Sequence, residues 1–561
     1  MKKSFIGIFF VLPLFAQNSN VVVDRLLDRI VEREKTFLES ARKRTPVIET
    51  YIQEVPESAA ADERPSKDHY FLGRFQLGET LKYETLIERS DAPQPKSGGW
   101  LPFHSSPKNQ AMLFLPRGFA QMAVIDLADF NRQTYSFEYV RREFLGDIRC
   151  LVFDVSPRNR TQPGKFVGRI WVEDRDNSVV RFNGTYVQAP VAKGATPERY
   201  FHFDSWRVNV GPAMWVPAQI YVEEIGAPGR DGRAGTPRFK AQTRIWDYAA
   251  APANKLDELT SILIESGSAV KDQEASKDVS PLESQRSWER QAEENLIARL
   301  EKAGLIAPAG PVDEVLNTVV NNLIVSANLN VEAHCRVMLT TPIETFSIGH
   351  TIVISRGLID VLPDEASLAM VIADELSHIA LGHRTQTQFA FNNQTMLGDA
   401  ELLQKFHLQR TPEEMLEAGR KTIDIMKASP YQKTANAGLF LKELASRGSA
   451  LPRLLQANLG NQLANTDSLQ RLAAFAASAP ALEENKIEQI AALPLGSRVK
   501  VNPWNNQIAL VKTRPISLLS AREKMPFEIT PFALYLTRFE PAAPASTEPE
   551  SARTGRPPAV P

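Results

Sequence analysis

Leu368-Ala-Met-Val-Ile-Ala-Asp-Glu-Leu-Ser-His-Ile-Ala-Leu-Gly-His383 is the stretch from which the rest of the chain is read. Pro363-Asp364-Glu365 stands just before it and supplies a helix start, an Asp suited to N-capping followed by an acidic first turn. Leu368, Val371, Ile372, Ile379 and Leu381 recur at mixed helical spacings. The spacing predicts one helix, much of it buried.

Inside this helix lies Asp374-Glu-Leu-Ser-His378, the pattern H-E-x-x-H with its first His replaced by Asp. In the intact pattern two His at i and i+4 share one helix face and hold zinc, and the Glu between them takes a proton from the zinc-bound water. Here Glu375 keeps the general-base place and His378 the second ligand place, while the first ligand place holds Asp374. An Asp can bind zinc, with a shorter reach than His.

The chain has 561 residues, 43% hydrophobic and 23% charged. That is an ordinary globular composition and length for about three to four domains. A net charge of −1 gives no electrostatic reason to expect nucleic acid as a partner. Residues 1–16 read as a signal peptide: Lys2 and Lys3, a short apolar run from Phe5 to Phe15, and a cleavage point at Ala16. The run is too short to span a bilayer. The expectation is an exported protein, periplasmic or extracellular, with no transmembrane anchor in the mature chain. Cys150 and Cys335 fall in different predicted domains and read as two buried thiols, a disulfide remaining open in an exported protein.

Residues 17–44 predict a charged helical lead-in, with Leu26, Leu27, Ile30 and Val31 apolar. Over 45–250 the pattern turns to β. Phe166–Glu173 and Ser178–Tyr186 flank a turn-rich tetrapeptide and predict a hairpin. Further strands are expected over 200–208, 215–223 and 239–248, giving an antiparallel sheet, strongly curved or closed. Its tryptophans, Trp171, Trp206, Trp215 and Trp246, read either as sheet core or as an apolar face for an acyl chain or an unfolded segment. The Gly-Arg-Ile-Trp-Val…Val-Val-Arg-Phe stretch resembles the half-barrel of periplasmic lipoprotein carriers and sigma-factor regulators. A polar linker is expected over 251–285 and a mainly helical domain over 286–480. Within that domain the expected helices include 286–303, 312–327, 413–428, 432–446 and about 451–478. A mixed or β segment over 481–540 and a disordered tail over 541–561 complete the reading. The fold class expected is therefore α+β multidomain.

Residues from about 312 to 445 resemble the peptidase domain of the HtpX and CAAX-prenyl-protease family, metallopeptidase family 48, in its soluble exported branch. The residues that carry the resemblance are Glu344-Thr-Phe346, Ile348-Gly-His350, Ile352-Val-Ile-Ser-Arg-Gly-Leu-Ile359 and the motif helix ending at His383. The resemblance implies a zincin-like domain with a small edge sheet, a zinc cofactor and peptide substrates. It also implies a substrate strand lying along Glu344, Thr345, Phe346, Gly349 and His350. The family's third ligand is a Glu in E-x-x-A-D on a later helix, with a Tyr beyond it. Aligning Ala418 and Tyr431 puts Met415 at that ligand position and Gly419 at the Asp position. A thioether is a poor zinc ligand in a hard site, and the missing Asp removes a contact that normally supports a ligand. Glu414 or Glu417 becomes the third ligand if the alignment slips by one residue or the helix bulges. His383 reads as an end-of-helix His on the C-terminal dipole or as an extra ligand, and His350 as a polar edge residue or an extra ligand. Glu375 can equally be a buried carboxylate paired with Arg336 or Arg356.

Three functions follow. The first is a degenerate peptidase, inactive or weakly active, that keeps a cleft for unfolded or envelope proteins and holds no zinc. The second is an active zinc metalloendopeptidase with an Asp374/His378/Glu ligand set and Glu375 as base. The third is a lipid or lipoprotein binder acting through the β domain.

Overall fold

The computed structural model describes residues 15–55, 65–78, 81–87, 118–187, 201–224, 238–249, 281–384, 390, 399–406, 408–432, 436–463, 498–511 and 527–539. Apart from Phe15 and Ala16, the expected signal peptide lies outside these residues, as do almost all of the expected linker and the whole tail.

Helix α1 (Phe15–Ala41) opens the chain. The N-terminal sheet follows: β1 (Val47–Val55), β2 (Lys67–Leu77), β3 (Leu81–Thr85), β4 (Tyr135–Leu145), β5 (Ile148–Pro157), β6 (Phe166–Glu173), β7 (Val179–Tyr186), β8 (Phe201–Gly211), β9 (Met214–Glu224) and β10 (Arg238–Trp246). The sheet is antiparallel, in the order β3-β2-β1-β10-β9-β8-β7-β6-β5-β4. Strands β4 to β10 run as a meander in which sequence neighbours pair, and β1 closes back onto β10 with Val47 opposite Trp246. The sheet is open, because β3 and β4 end the order without pairing. Edge strand β4 carries Arg141, Arg142 and Glu143 and a bulge after Tyr139, which blunts it against pairing with another chain.

Period-2 alternation sorts the sheet into two apolar faces. Ile48, Ile52, Phe153, Ile170, Val172, Phe182 and Ile220 pack against Leu27, Ile30 and Leu38 of α1 and against residues 119–130. The other face divides in two. Val47, Tyr51, Leu72, Tyr221 and Trp246 join the core of the helical half. Trp171, Trp206 and Trp215 lie under Leu536 of the C-terminal segment. The four tryptophans are 1–5% exposed, and Arg181 sits between Trp171 and Trp206, 4.2 and 4.3 Å from their rings. They are sheet core, which corrects the reading of them as an open apolar face.

The helical half begins with α2 (Pro281–Lys302) and α3 (Pro311–Ser326). A small mixed sheet is built from β11 (His334–Met338), β12 (Glu344–Ile348) and β13 (Thr351–Ser355). Then come α4 (Arg356–Val361), α5 (Glu365–Ala380), α6 (Asp399–Lys405), α7 (Pro412–Ala428), α8 (Asn436–Arg447) and α9 (Pro452–Leu455). Strand β14 (Asn461–Gln462) completes the small sheet in the order β11-β13-β12-β14. Of the helix expected from about 451 to 478, residues 451–463 form a single turn, α9, followed by this strand, and the rest lies outside the described residues. Glu344 draws the backbone N–H groups of 458–460 onto its carboxylate and so takes the chain out of helix. A hairpin of β15 (Val499–Val501) and β16 (Ile508–Leu510) packs beside α4, where Asp360 accepts from the N–H groups of Arg498 and Val499. Cys150 and Cys335 are buried free thiols in separate cores. No helix among the described residues is long and apolar enough to cross a membrane.

Candidate functional site

Helix α5 starts at Asp364, whose Oδ1 accepts from the Ser367 N–H at 2.8 Å. It is buried continuously from Ala369 to His378, because α3, α7, α8, β12 and β13 all touch it. A helix apolar over most of its circumference takes such a central place. Asp374, Glu375 and His378 are thereby carried inside the protein, 0–1% exposed.

Helix α7 lies along α5 and buries Met415, Ala418, Gly419, Thr422, Ile425 and Met426, a stripe at i, i+3, i+4, i+7. Ala418 and Gly419 are small, so the two helices come close. Across this contact the Thr422 hydroxyl donates to Asp374 Oδ1 at 3.2 Å and lies 3.1 Å from Ser377 Oγ. Met415 is on the same buried stripe, so a thioether faces the motif helix. Glu414 is committed elsewhere: it closes a capping box at the start of α7, its Oε2 accepting from the Thr411 N–H at 3.0 Å. Glu417 is exposed and its Oε2 lies 3.5 Å from His383 Nε2.

His383 folds back over the end of α5 and sets its Nδ1 2.8 Å from His378 Nδ1, so one of the two rings carries the shared proton. This corrects the reading of His383 as a helix-end partner of the dipole. His350 is exposed in the turn after β12, its Nδ1 2.8 Å from the Glu332 carbonyl. Gly349, beside it, has φ +56, and a Cβ there would collide with the Glu293 carboxylate of α2.

Glu375 is paired with neither arginine that the sequence offered. Arg356 reaches Glu49 at 2.9 Å and Arg336 reaches Glu301 at 2.8 Å. The partner of Glu375 is Asn461, whose Nδ2 donates to its Oε1 at 3.2 Å. Asn461 Oδ1 accepts from the Arg410 N–H at 2.9 Å, and Arg410 Nη2 donates to Ser347 Oγ at 3.0 Å. Burial raises the Glu375 carboxyl above its usual range, and the neighbouring Asp374 adds to the rise. Arg410, Asn461 and Ser347 oppose it without cancelling it. Asn461 and Arg410 are functional neighbours that sequence reading missed. Their only sequence signal was an Asn and an Arg outside the motif, 86 and 35 residues beyond Glu375 in the chain.

The residues expected to take a substrate strand are placed as follows. Glu344, Thr345 and Phe346 are fully buried, and β14 covers the edge of β12 at Glu344 and Thr345. Gly349 and His350 stay at the surface.

A zinc site of the usual kind needs three protein ligands and an open position. Here α5 offers one carboxylate and one imidazole, α7 offers the buried Met415 thioether, and Glu414 is held in its cap. Among the described residues no group of three or more His, Cys, Asp or Glu is placed to hold a metal ion. Among the described residues the donors as arranged do not make up a zinc ligand set.

Residues 312–439 match the family model described as "Peptidase family M48". No curated protein matches. Two solved structures show partial similarity. "Crystal structure of MucB in complex with MucA(peri)" is 8% identical with a TM-score of 0.13, covering 40% of this chain and 93% of that chain. "The complex structure of Pseudomonas aeruginosa MucA/MucB" is 9% identical with a TM-score of 0.12, covering 38% and 93%. Likeness at these scores carries no argument. The strand–turn–helix frame of β12, β13 and α5 lies within this matched segment, which is similar to M48 metallopeptidases over residues 312–439.

Proposed function

We propose that this chain is an M48-type protein whose hydrolytic chemistry has been lost and whose cleft is kept for binding extended polypeptide, in the cell envelope after export. The observation that carries the reading is the face between α5 and α7. Met415, which the family resemblance puts at the third ligand place, is a buried thioether, one oxygen of Asp374 faces the Thr422 hydroxyl, and Glu414 is spent on a helix cap. A metal-activated water needs the whole ligand set, because the charge of the ion is what lowers the pKa of the water. Glu375 is kept as a buried carboxylate whose Oε1 accepts from Asn461 of the same chain. The basic and apolar start of the sequence supports export, and the family supports protein or peptide ligands.

The test is zinc content by mass spectrometry on protein purified without chelator or affinity metal, beside an Asp374→His, Met415→Glu double variant. The expected result is zinc far below one per chain in the parent and a marked rise in the double variant. Zinc near one per chain in the parent, with casein cleavage lost in Glu375→Gln, would overturn the reading in favour of an active peptidase.

A second reading rests on a small cavity of about 260 Å³ between α1 and the sheet. Phe37, Trp215, Tyr248 and Trp504 give it aromatic walls suited to an apolar ligand of the β domain. Delipidated protein that binds no apolar fluorescent probe removes this reading.

A further inference from the structure

The free edge of a strand is the usual place for an extended peptide to add, its backbone completing the ladder. In this protein that edge of β12 is taken by the chain itself. The Ile343 N–H donates to the Leu454 carbonyl at 2.7 Å. Glu344 Oε2 then accepts three successive backbone N–H groups, from Asn458, Leu459 and Gly460, at 2.8, 2.8 and 3.0 Å. Thr345 and Glu344 pair antiparallel with Asn461 and Gln462. The occupant thus runs along β12 for its first residues, in the direction opposite to it.

Two side-chain positions in this contact are demanding. At Gly460 a Cβ would collide with the ring of Phe346 and lie 2.6 Å from the Thr345 carbonyl oxygen. At Asn461 the carboxamide spans the cleft, donating to Glu375 Oε1 and accepting from the Arg410 N–H. An acid in that place would set a second carboxylate against Glu375, and an apolar residue would leave both groups without this partner.

The occupant is also tethered from outside the cleft. Asp68 of β2 accepts from the N–H groups of Arg453 and Leu454, at 2.9 and 2.7 Å, and so holds the start of α9. The ladder itself is two residue pairs long, short enough to open locally without unfolding the domain.

We propose that residues 454–463 are an internal peptide ligand of the cleft. They hold the edge that an extended polypeptide would otherwise take, and they show what the cleft selects: a residue without a Cβ opposite Phe346, followed by a carboxamide against Glu375. This rests on the reading of the cleft as a polypeptide-binding site. Asp68 makes the occupancy depend on the β domain, because the sheet holds one end of the ligand segment.

The experiment uses the full chain and two variants. Gly460→Val puts a side chain where Phe346 stands, and Asp68→Ala cuts the tether without touching β12. Hydrogen exchange of residues 344–346 reads release of the edge. Fluorescence polarisation with a labelled peptide of sequence Ala457–Leu463 reads binding in trans. In both variants exchange at 344–346 is expected to speed up. Apparent affinity for the peptide should rise about tenfold, the factor expected when a competing closed state of about 90% is removed. The same peptide with Val in place of Gly460 should not bind. If neither variant changes exchange or affinity while the parent binds the peptide, the internal-ligand proposal falls and the cleft reading stands. If exchange shows the edge released and no peptide binds, the cleft reading falls and takes the proposal with it. A circular-dichroism melt of each variant separates release of the edge from global unfolding, and Asp68→Ala carries the test if Gly460→Val does not fold.

Discussion

Glu375 shows most directly what burial does to a catalytic-type carboxylate that has no metal to serve. Desolvation raises its pKa above the ordinary 4.5, with Asp374 adding to the effect. The folded chain therefore holds a proton that the unfolded chain has lost. Stability from that proton is complete below about pH 4.5 and is lost as pH rises through the raised folded value. Glu375→Gln keeps an acceptor for Asn461 and cannot ionise. The variant is expected to be more stable than the parent near pH 8 and equal to it near pH 4. Thermal melts across that range check this, and a variant less stable at pH 8 would mean that the folded state favours the ionised carboxylate. At the neighbouring position, Thr422→Val removes the hydroxyl that Asp374 Oδ1 accepts. A loss of about 1–3 kcal/mol in urea unfolding is expected for a buried carboxylate deprived of a donor, and no loss would show that water or a cation substitutes for it.

Among the elements, α1 is held to the sheet by more than its apolar stripe. Leu27, Ile30, Leu38 and Ala41 are buried at helical spacing, and Glu34 lies in the same row at 1% exposed. Its two oxygens take both terminal nitrogens of Arg207, at 2.6 and 2.7 Å, so the pair is bidentate and dry. Removing one member leaves the other charged and buried. Glu34→Ala is expected to cost about 3–5 kcal/mol, while replacing both with apolar residues of similar size should cost far less. A double-variant cycle by chemical denaturation measures the difference. Equal losses in the single and double replacements would show that packing, and not the stranded charge, sets the cost. On the other side of the molecule, β14 pairs with β12 where hydrophobic period predicts a helix. It exists because Glu344 gathers the backbone of 458–460.

The whole molecule is tied across its two halves by charges as well as by apolar contact. Glu49 of β1 is 1% exposed and binds Arg356, the Thr341 N–H and hydroxyl, and the Tyr70 hydroxyl. Gln53 of the same strand donates to the Phe527 carbonyl and accepts from the Ile529 N–H. The segment from 527 to 539 then returns over the tryptophan face, with the Asp147 N–H donating to the Leu536 carbonyl. Such ties predict one cooperative unfolding transition for both halves. Glu49→Ala strands Arg356 and should split the calorimetric trace into two transitions or lower a single one by about 3–5 kcal/mol in stability. An unchanged single peak would show that apolar burial alone couples the halves.

Much of this was legible in the residues themselves. The hairpin of Phe166–Glu173 and Val179–Tyr186, helix α3 and the motif helix follow from local period and from caps such as Asp364. The same holds for the Asp374-x-x-x-His378 spacing and for Met415 on the buried stripe of α7, because helical spacing fixes which side chains share a face. What lay beyond reach depends on pairs far apart in the chain. No local pattern joins Glu344 to residue 458, Asn461 to Glu375, Glu49 to Arg356, or His383 to His378 rather than to a helix end. The sequence by itself determined the elements and the chemistry available in the motif. Only the tertiary structure decided that Asn461 donates to Glu375 and that the chain fills its own edge strand, because a buried polar group takes whichever partner the fold brings within about 3 Å.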